Sequence, residues 1–227
     1  MIYQISQLFS ATEVSQLRQH LDQANWVDGK LSAGSQAQAV KANLQLAQDD
    51  PLAQQIGDLI LDRLAQHPRF VATALPQKIY PPMFNCYHQG GHYGAHVDNA
   101  IRVIPRTPVR LRTDLSATLF LAEPDQYQGG EMQIDDSYGS HLIKLQAGDM
   151  ILYPSTSVHQ VHPVTQGKRV CAFFWIQSMV RSHTERHLLV EVDNSIRELS
   201  QQLHANHPEV IRLSRVYQNL LQHWVET

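Results

Sequence analysis

The sequence predicts an α+β fold: short strands over residues 77–178 forming a double sheet or barrel, helical support over 1–76, and a helical extension over 179–227. Three observations carry this. Apolar residues recur three and four apart near both ends of the chain, the period of a helix with one buried stripe. Between residues 77 and 178 the apolar runs shorten, and Gly, Pro and Asp divide them. Their regular spacing suits a sandwich or barrel, of which the jelly roll is one form. At 227 residues and 43% hydrophobic content, the chain fits one domain with a substantial core.

The first helix opens on the capping-box pattern Ser10-Ala11-Thr12-Glu13, and Val14, Leu17 and Leu21 follow on one face, predicting a helix over 10–24. Trp26 begins an irregular stretch through Gly29 and Gly34, and Ala37 to Leu46 reads as weakly helical. Asp50-Pro51 supplies an N-cap with proline at the first helical position, and Leu52, Ile56, Leu59, Ile60 and Leu64 mark the stripe of a second helix. Lys78 to His88 reads as strand, which Pro81-Pro82 bends or confines to a sheet edge. Gly90-Gly91 turns the chain into a strand carrying His96, and residues 99–114 form a long polar loop. Strands follow at 115–122, 131–134, 141–145, 150–153 and 170–177, the last with Phe173, Phe174 and Trp175 as core residues. Ser182-His183-Thr184-Glu185 is another capping box, ahead of a stripe from Leu188 to Leu203. Asn206-His207-Pro208 separates it from a last helix with Ile211, Val216, Leu220 and Trp224. This C-terminal pair either buttresses the barrel or joins subunits of a homo-oligomer; the sequence favours neither.

The chemistry gathers around Gly91 to Asp98. In an extended strand alternate side chains leave the same face, so His96 and Asp98 point one way and Val97 the other. One imidazole and one carboxylate leave a divalent metal short of ligands, and His159 is the candidate third donor. Two histidines and a carboxylate on one face of an ion, with the opposite positions open, make up the ligand set of non-haem Fe(II) oxygenases. A His-x-Asp alone is unremarkable in a chain with 13 histidines, and its company with His159 and Arg169 makes it specific. Arg169 lies on an alternating strand, and its planar guanidinium can engage a carboxylate through two parallel hydrogen bonds.

Other classes fare worse. A net charge of −3 gives no general case for nucleic-acid or membrane binding. No apolar run approaches the length needed to cross a bilayer, and Met1 to Ser6 lack the features of a signal peptide. Cys86 and Cys171 make no disulfide framework, so a reducing cytoplasm is expected.

With these residues assembled, the chain resembles the Fe(II)/2-oxoglutarate-dependent dioxygenases, and more narrowly the bacterial PKHD-type hydroxylases. The resemblance is carried by Tyr87 to Ala100, Asp114 to Leu121, Gly129-Gly130-Glu131, Ala147-Gly148-Asp149 and His159 to Arg169. It covers 77–178 as the dioxygenase domain, with similar flanking helices. It implies a double-stranded β-helix (jelly roll) with N-terminal buttressing helices and a C-terminal helical extension. It further implies Fe(II) on His96, Asp98 and His159, with the far carboxylate of 2-oxoglutarate on Arg169. The activity implied is O2-dependent hydroxylation with release of succinate and CO2, and ascorbate is the expected reductant. Related hydroxylases use a tyrosine near this point to contact the co-substrate; Tyr87 and Tyr93 read equally well as core tyrosines. His92 and His162 suit supporting or surface places, and Asn99 either orients Asp98 or serves the turn. Family members are associated with iron uptake, yet a small metabolite, a siderophore and a peptide all stay open as substrate.

Arg102, Arg106, Arg110 and Arg112 crowd the loop that leaves Asp98, which Pro105 and Pro108 stiffen. They form either a lid that recruits a negatively charged substrate or a solvated basic loop. A non-catalytic cupin-like sensor of metal or ligand is the competing class; it would keep the triad but has no need of Arg169. An iron-dependent halogenase would have a small residue in place of Asp98.

Overall fold

The computed structural model describes residues 2–32, 39–137 and 139–226. Helix α1 (Ala11–Leu21) carries the expected box: the Ser10 hydroxyl accepts from the Glu13 N–H, and the Glu13 carboxylate accepts from the Ser10 N–H. In α2 (Pro51–Ala65) the Asp50 carboxylate accepts from the Leu52 and Ala53 N–H groups. A short α3 (Pro68–Ala74), which the sequence does not announce, follows under a His67 cap. Two helices close the chain, α4 (His183–Leu203) and α5 (Pro208–Trp224).

Two antiparallel sheets lie between them. The larger uses β1 (Tyr3–Ile5), β2 (Trp26–Asp28), β4 (Leu44–Leu46), β5 (Pro76–Ile79), β6 (Met83–Tyr87), β10 (Leu115–Phe120), β14 (Met150–Pro154) and β17 (Arg169–Ser178). Its order is β1-β14-β10-β17-β6-β4-β2, with β5 also on β17. The smaller runs β13-β12-β15-β7-β3, from β13 (Gly139–Ile143), β12 (Met132–Asp136), β15 (Val158–Val161), β7 (His92–His96) and β3 (Lys41–Ala42). Two ribbons complete it: β8 (Ile101–Val103) with β9 (Arg110–Arg112), and β11 (Tyr127–Gly129) with β16 (Val164–Gly167).

Strict alternation divides the large sheet into two faces. Phe84 and Cys86 of β6, Leu115, Ala117 and Leu119 of β10, Met150 and Leu152 of β14, and Val170, Ala172, Phe174 and Ile176 of β17 join one apolar cluster. That cluster includes Leu17 and Leu21 of α1, Ile56, Ile60 and Leu64 of α2, and Phe70 of α3. The N-terminal helices therefore buttress one face. The intervening residues point the other way, where Phe120, Ile151, Tyr153 and Cys171 meet Met132, Ile134 and Ile143 of the small sheet. Functional side chains thus have one place to go, between the sheets.

Three expectations need correction. Residues 41–42 and 44–46 are two short strands, one in each sheet, with Ala37 and Gln38 outside the described residues. Lys41, Asn43 and Gln45 are buried on one phase there while Leu44 and Leu46 face the apolar core on the other, and strands this short leave no clear signal. Residues 99–114 are a hairpin rather than a loop: Ile101 pairs with Arg112 and Val103 with Arg110, and both prolines fall in the turn. The Pro81-Pro82 pair bends the chain without marking an edge, because β6 lies inside the sheet between β17 and β4.

The C-terminal helices pack onto the body of the protein. Leu75, Val180 and Leu189 are buried together, and Tyr217, Leu220, Leu221 and Trp224 lie against them. His187 of α4 is hydrogen-bonded to the Tyr3 hydroxyl at 2.8 Å. Among the described residues no helix is long and apolar enough to cross a membrane.

The helix layer should contribute strongly to stability. Ile60 is fully buried between α2 and the sheet, so Ile60→Ala should cost about 2–5 kcal/mol. Urea unfolding should show a lower midpoint with an unchanged slope; a loss below about 1 kcal/mol would place Ile60 outside the core.

Candidate metal centre

Strands β7 and β15 are paired so that His96 stands opposite His159. Asp98 falls beyond the end of β7, so strand alternation does not aim it. A hydroxyl on the opposite sheet holds it: Ser116 Oγ donates to Asp98 Oδ2 at 2.6 Å and lies 2.7 Å from Ser155 Oγ. Asp98 Oδ2 is 3.7 Å from His159 Nε2, and one ligand atom from each of His96, Asp98 and His159 lies within 4.8 Å of the others.

The backbone sets both imidazole tautomers. His96 Nδ1 is 2.8 Å from the Gly94 carbonyl oxygen and His159 Nδ1 is 3.1 Å from that of Ser157. A carbonyl can only accept, so each Nδ1 carries the proton and each Nε2 keeps its lone pair for a metal. Burial, with His159 beside it, pushes the His96 pKa down to about 4, which keeps the ring neutral at ordinary pH. Tyr93 stacks on His96 with ring centroids 3.6 Å apart, and Tyr153 meets His159 edge-on at 5.0 Å. Burial, then Asp98, raises the Tyr93 phenol to about 12, so it stays protonated.

Arg169 points from β17 into the same pocket, which Tyr87, Tyr93 and the three clustered residues also line. It is 1% exposed, and none of its three side-chain nitrogens has a hydrogen-bond partner. Its guanidinium carbon lies 5.3 Å from the Tyr87 ring centroid and 5.1 Å from that of Phe120. The Tyr127 hydroxyl is within electrostatic reach, but no hydrogen bond of good geometry joins the two. A buried cation with five idle donors is costly unless an anion completes it. Gly130 keeps the neighbouring space open: its φ is +67°, and a Cβ there would lie 3.1 Å from Arg169 Cδ. Two imidazoles, a carboxylate and an orphaned guanidinium fit an oxygen-binding metal beside a carboxylate ligand.

The other sequence candidates are dispersed. His92 Nδ1 lies near the Gly90 carbonyl and His162 Nε2 near Gln133 Oε1, and neither is part of the cluster. Asn99 offers its backbone carbonyl to Thr113, so Ser116 does the holding that Asn99 is a candidate for. The four arginines split. Arg102 turns inward over Trp175, Arg112 is tied to Asp114 and Glu226, and Arg106 and Arg110 are exposed. Phe174 is core, whereas Phe173 and Trp175 face the pocket side of β17. Ser116, Ser155, Tyr153 and Lys41 go unnoticed in the sequence. Ser116 was legible as a polar residue in phase with Thr118 inside an apolar strand; Lys41 leaves no comparable sign.

Fold and cluster together define a class, the 2-oxoglutarate-dependent non-haem iron oxygenases, and residues 82–177 match the family model of the 2OG-Fe(II) oxygenase superfamily. Residues 184–226 match the PKHD-type hydroxylase C-terminal domain. PKHD-type hydroxylases of Stutzerimonas stutzeri and Bordetella pertussis are 50% and 52% identical over 226 residues, covering 100% of both chains. The chain belongs to the PKHD-type hydroxylases. Similar solved structures include a Pseudomonas putida prolyl-4-hydroxylase (TM-score 0.52, 17% identity, 78% of this chain and 92% of that one). HygX of Streptomyces hygroscopicus, with nickel, 2-oxoglutarate and hygromycin B bound, has a TM-score of 0.54 at 13% identity, covering 78% of this chain and 82% of its own. These two show the jelly-roll fold alone. The protein is thus an oxygenase of the hydroxylase type whose family uses Fe(II), 2-oxoglutarate and O2, and the sensor reading falls away.

If Ser116 orients Asp98, Ser116→Ala should weaken metal binding about 10–100-fold with the fold intact. Competition against a chelator measures this; an unchanged affinity would mean that Asp98 needs no such support.

Proposed function

We propose that His96, Asp98 and His159 hold one Fe(II) and that Arg169 receives the far carboxylate of 2-oxoglutarate. The enzyme hydroxylates a small-molecule, siderophore or peptide substrate, with release of succinate and CO2. One observation carries the reading: a fully buried guanidinium with no partner opens into the pocket that the three clustered side chains share. Bound there, iron and 2-oxoglutarate supply O2 activation coupled to oxidative decarboxylation of the co-substrate.

The chain's own part is placement and exclusion of water. Ser116 and the two backbone carbonyls fix the ligand atoms, and Tyr93 fixes the plane of His96. Tyr87 and Phe120 shield Arg169, which strengthens its grip on a carboxylate. The Tyr127 hydroxyl supplies a further donor beside it. Residues 77–178 form the catalytic unit, and the flanking helices support it. Ascorbate restores oxidised iron, and the cytoplasm suits both the ferrous ion and the two free cysteines. A link to iron uptake rests on the family association, and a homo-oligomer would use the exposed Leu188, Ile211 and Val216 of α4 and α5.

Two experiments separate the parts of this reading. His96→Ala, Asp98→Ala and His159→Ala should each remove most bound iron and all turnover; full iron content in all three would defeat the metal assignment. Arg169→Ala should keep iron but lose about 30-fold or more in 2-oxoglutarate affinity, the equivalent of roughly 2–5 kcal/mol. Anaerobic titration would show it, and an unaltered Kd would mean that the anchor lies elsewhere.

A further inference from the structure

A buried hydroxyl behind Ser116 has no task in the chemistry described so far. Ser155, like Ser116, is 2% exposed, and their Oγ atoms lie 2.7 Å apart. Ser116 has one hydroxyl proton, and it goes to Asp98 Oδ2 at 2.6 Å. The bond between the two serines therefore runs one way: Ser155 donates and Ser116 accepts. Two hydroxyls stand in line behind one carboxylate.

The place of Ser155 in the fold matters as much as its hydroxyl. It follows β14 in the turn over residues 154–157, which the Ser157 N–H closes onto the Pro154 carbonyl at 3.0 Å. The Ser155 N–H reaches the Asp114 carbonyl at 3.3 Å, so its backbone and its side chain are both tied to the start of β10. The same turn then presents the Ser157 carbonyl to His159 Nδ1 at 3.1 Å. One residue is thereby connected to Asp98 through a hydroxyl and to His159 through the backbone. His96 has no share in this, because Gly94 of its own strand orients it. Ser116 on its own could reach Asp98, but a serine side chain has several staggered rotamers to choose from. The bond from Ser155 holds the one aimed at Asp98, and hydrogen bonds in a chain polarise one another.

We propose that Ser155 is a positioning residue of the metal centre: it holds and polarises the Ser116 hydroxyl, and so sets the Asp98 carboxylate, while its turn seats His159. The proposal rests on His96, Asp98 and His159 being the metal ligands. Ser155 touches none of the three with its own hydroxyl, so it acts through Ser116 and through the turn. Tyr153 is the rival for this task, since its hydroxyl also lies within hydrogen-bonding reach of Ser116 and of Thr118.

The test uses full-length protein and cobalt(II), whose visible absorption bands report the geometry of its ligands. Competition against a chelator would give the cobalt affinity of the wild type, Ser116→Ala, Ser155→Ala, the double variant and Tyr153→Phe. We expect Ser155→Ala to weaken cobalt about 3–10-fold, less than Ser116→Ala because one more bond intervenes. The double variant should bind within about 2-fold of Ser116→Ala, since Ser155 then has nothing left to act on. The cobalt bands should shift in Ser155→Ala and return in Ser155→Thr, which keeps the hydroxyl. Should the threonine not fit so tight a site, Ser155→Cys keeps a weak donor and should recover part of the affinity. A merely structural loss would lower the melting temperature and leave the bands where they are. Unchanged affinity and bands in Ser155→Ala, or losses that add in the double variant, would overturn the proposal. So would Tyr153→Phe weakening cobalt while Ser155→Ala does not. Equal cobalt binding by wild type and His96→Ala would instead remove the metal assignment on which the proposal stands.

Discussion

The alternation of side chains along β6, β10, β14 and β17 is the constraint on which the rest of this molecule depends. One phase of these strands is apolar and packs on three N-terminal helices; the other looks toward the small sheet. That division lets one strand serve stability and chemistry together. Val170, Ala172 and Phe174 belong to the helix-facing core, while Arg169 and Trp175 line the pocket from the same strand. A one-residue slip of β17 would exchange the two sets, burying a guanidinium against α2.

Electrostatics inside the pocket follow from that geometry. The His96 ring is neutral because of burial and the neighbouring His159, while the backbone carbonyls of Gly94 and Ser157 orient the two imidazoles. Asp98 accepts a hydrogen bond from Ser116, which restrains its orientation. One cation, in contrast, is left without a hydrogen-bond partner: Arg169, deep in the pocket. On the proposed reading, an anion from solution completes it.

Much of this was legible in the sequence, for identifiable reasons. Caps at Ser10 and Asp50 and apolar stripes announce α1 and α2, and long apolar runs announce β10 and β17. His96, Asp98, His159 and Arg169 do converge on one pocket: His96 and Arg169 lie on strands the sequence marks, whereas Asp98 falls past the end of β7 and His159 lies on a short strand that the sequence leaves unmarked. What escaped notice shares one physical cause. Strands of two or three residues, such as Lys41–Ala42 and Leu44–Leu46, are too short to set up a hydrophobic period, and a hairpin of three-residue strands with two prolines reads as a loop. Lys41 belongs to the pocket through pairing with the distant β7, which no local pattern records.

Gly130 shows how narrow the margin around the guanidinium is. A single methyl there would come within 2.7 Å of Val164 Cγ2 and 3.1 Å of the Arg169 stem, on a backbone conformation that L-residues resist. A descendant chain could therefore keep both histidines, the aspartate and the arginine, look intact to any inspection of those four letters, and still have had the seat of its arginine disturbed by one alanine. In judging whether a relative remains an enzyme or has become a pseudoenzyme, the residue at 130 carries information beside that of the proposed metal ligands.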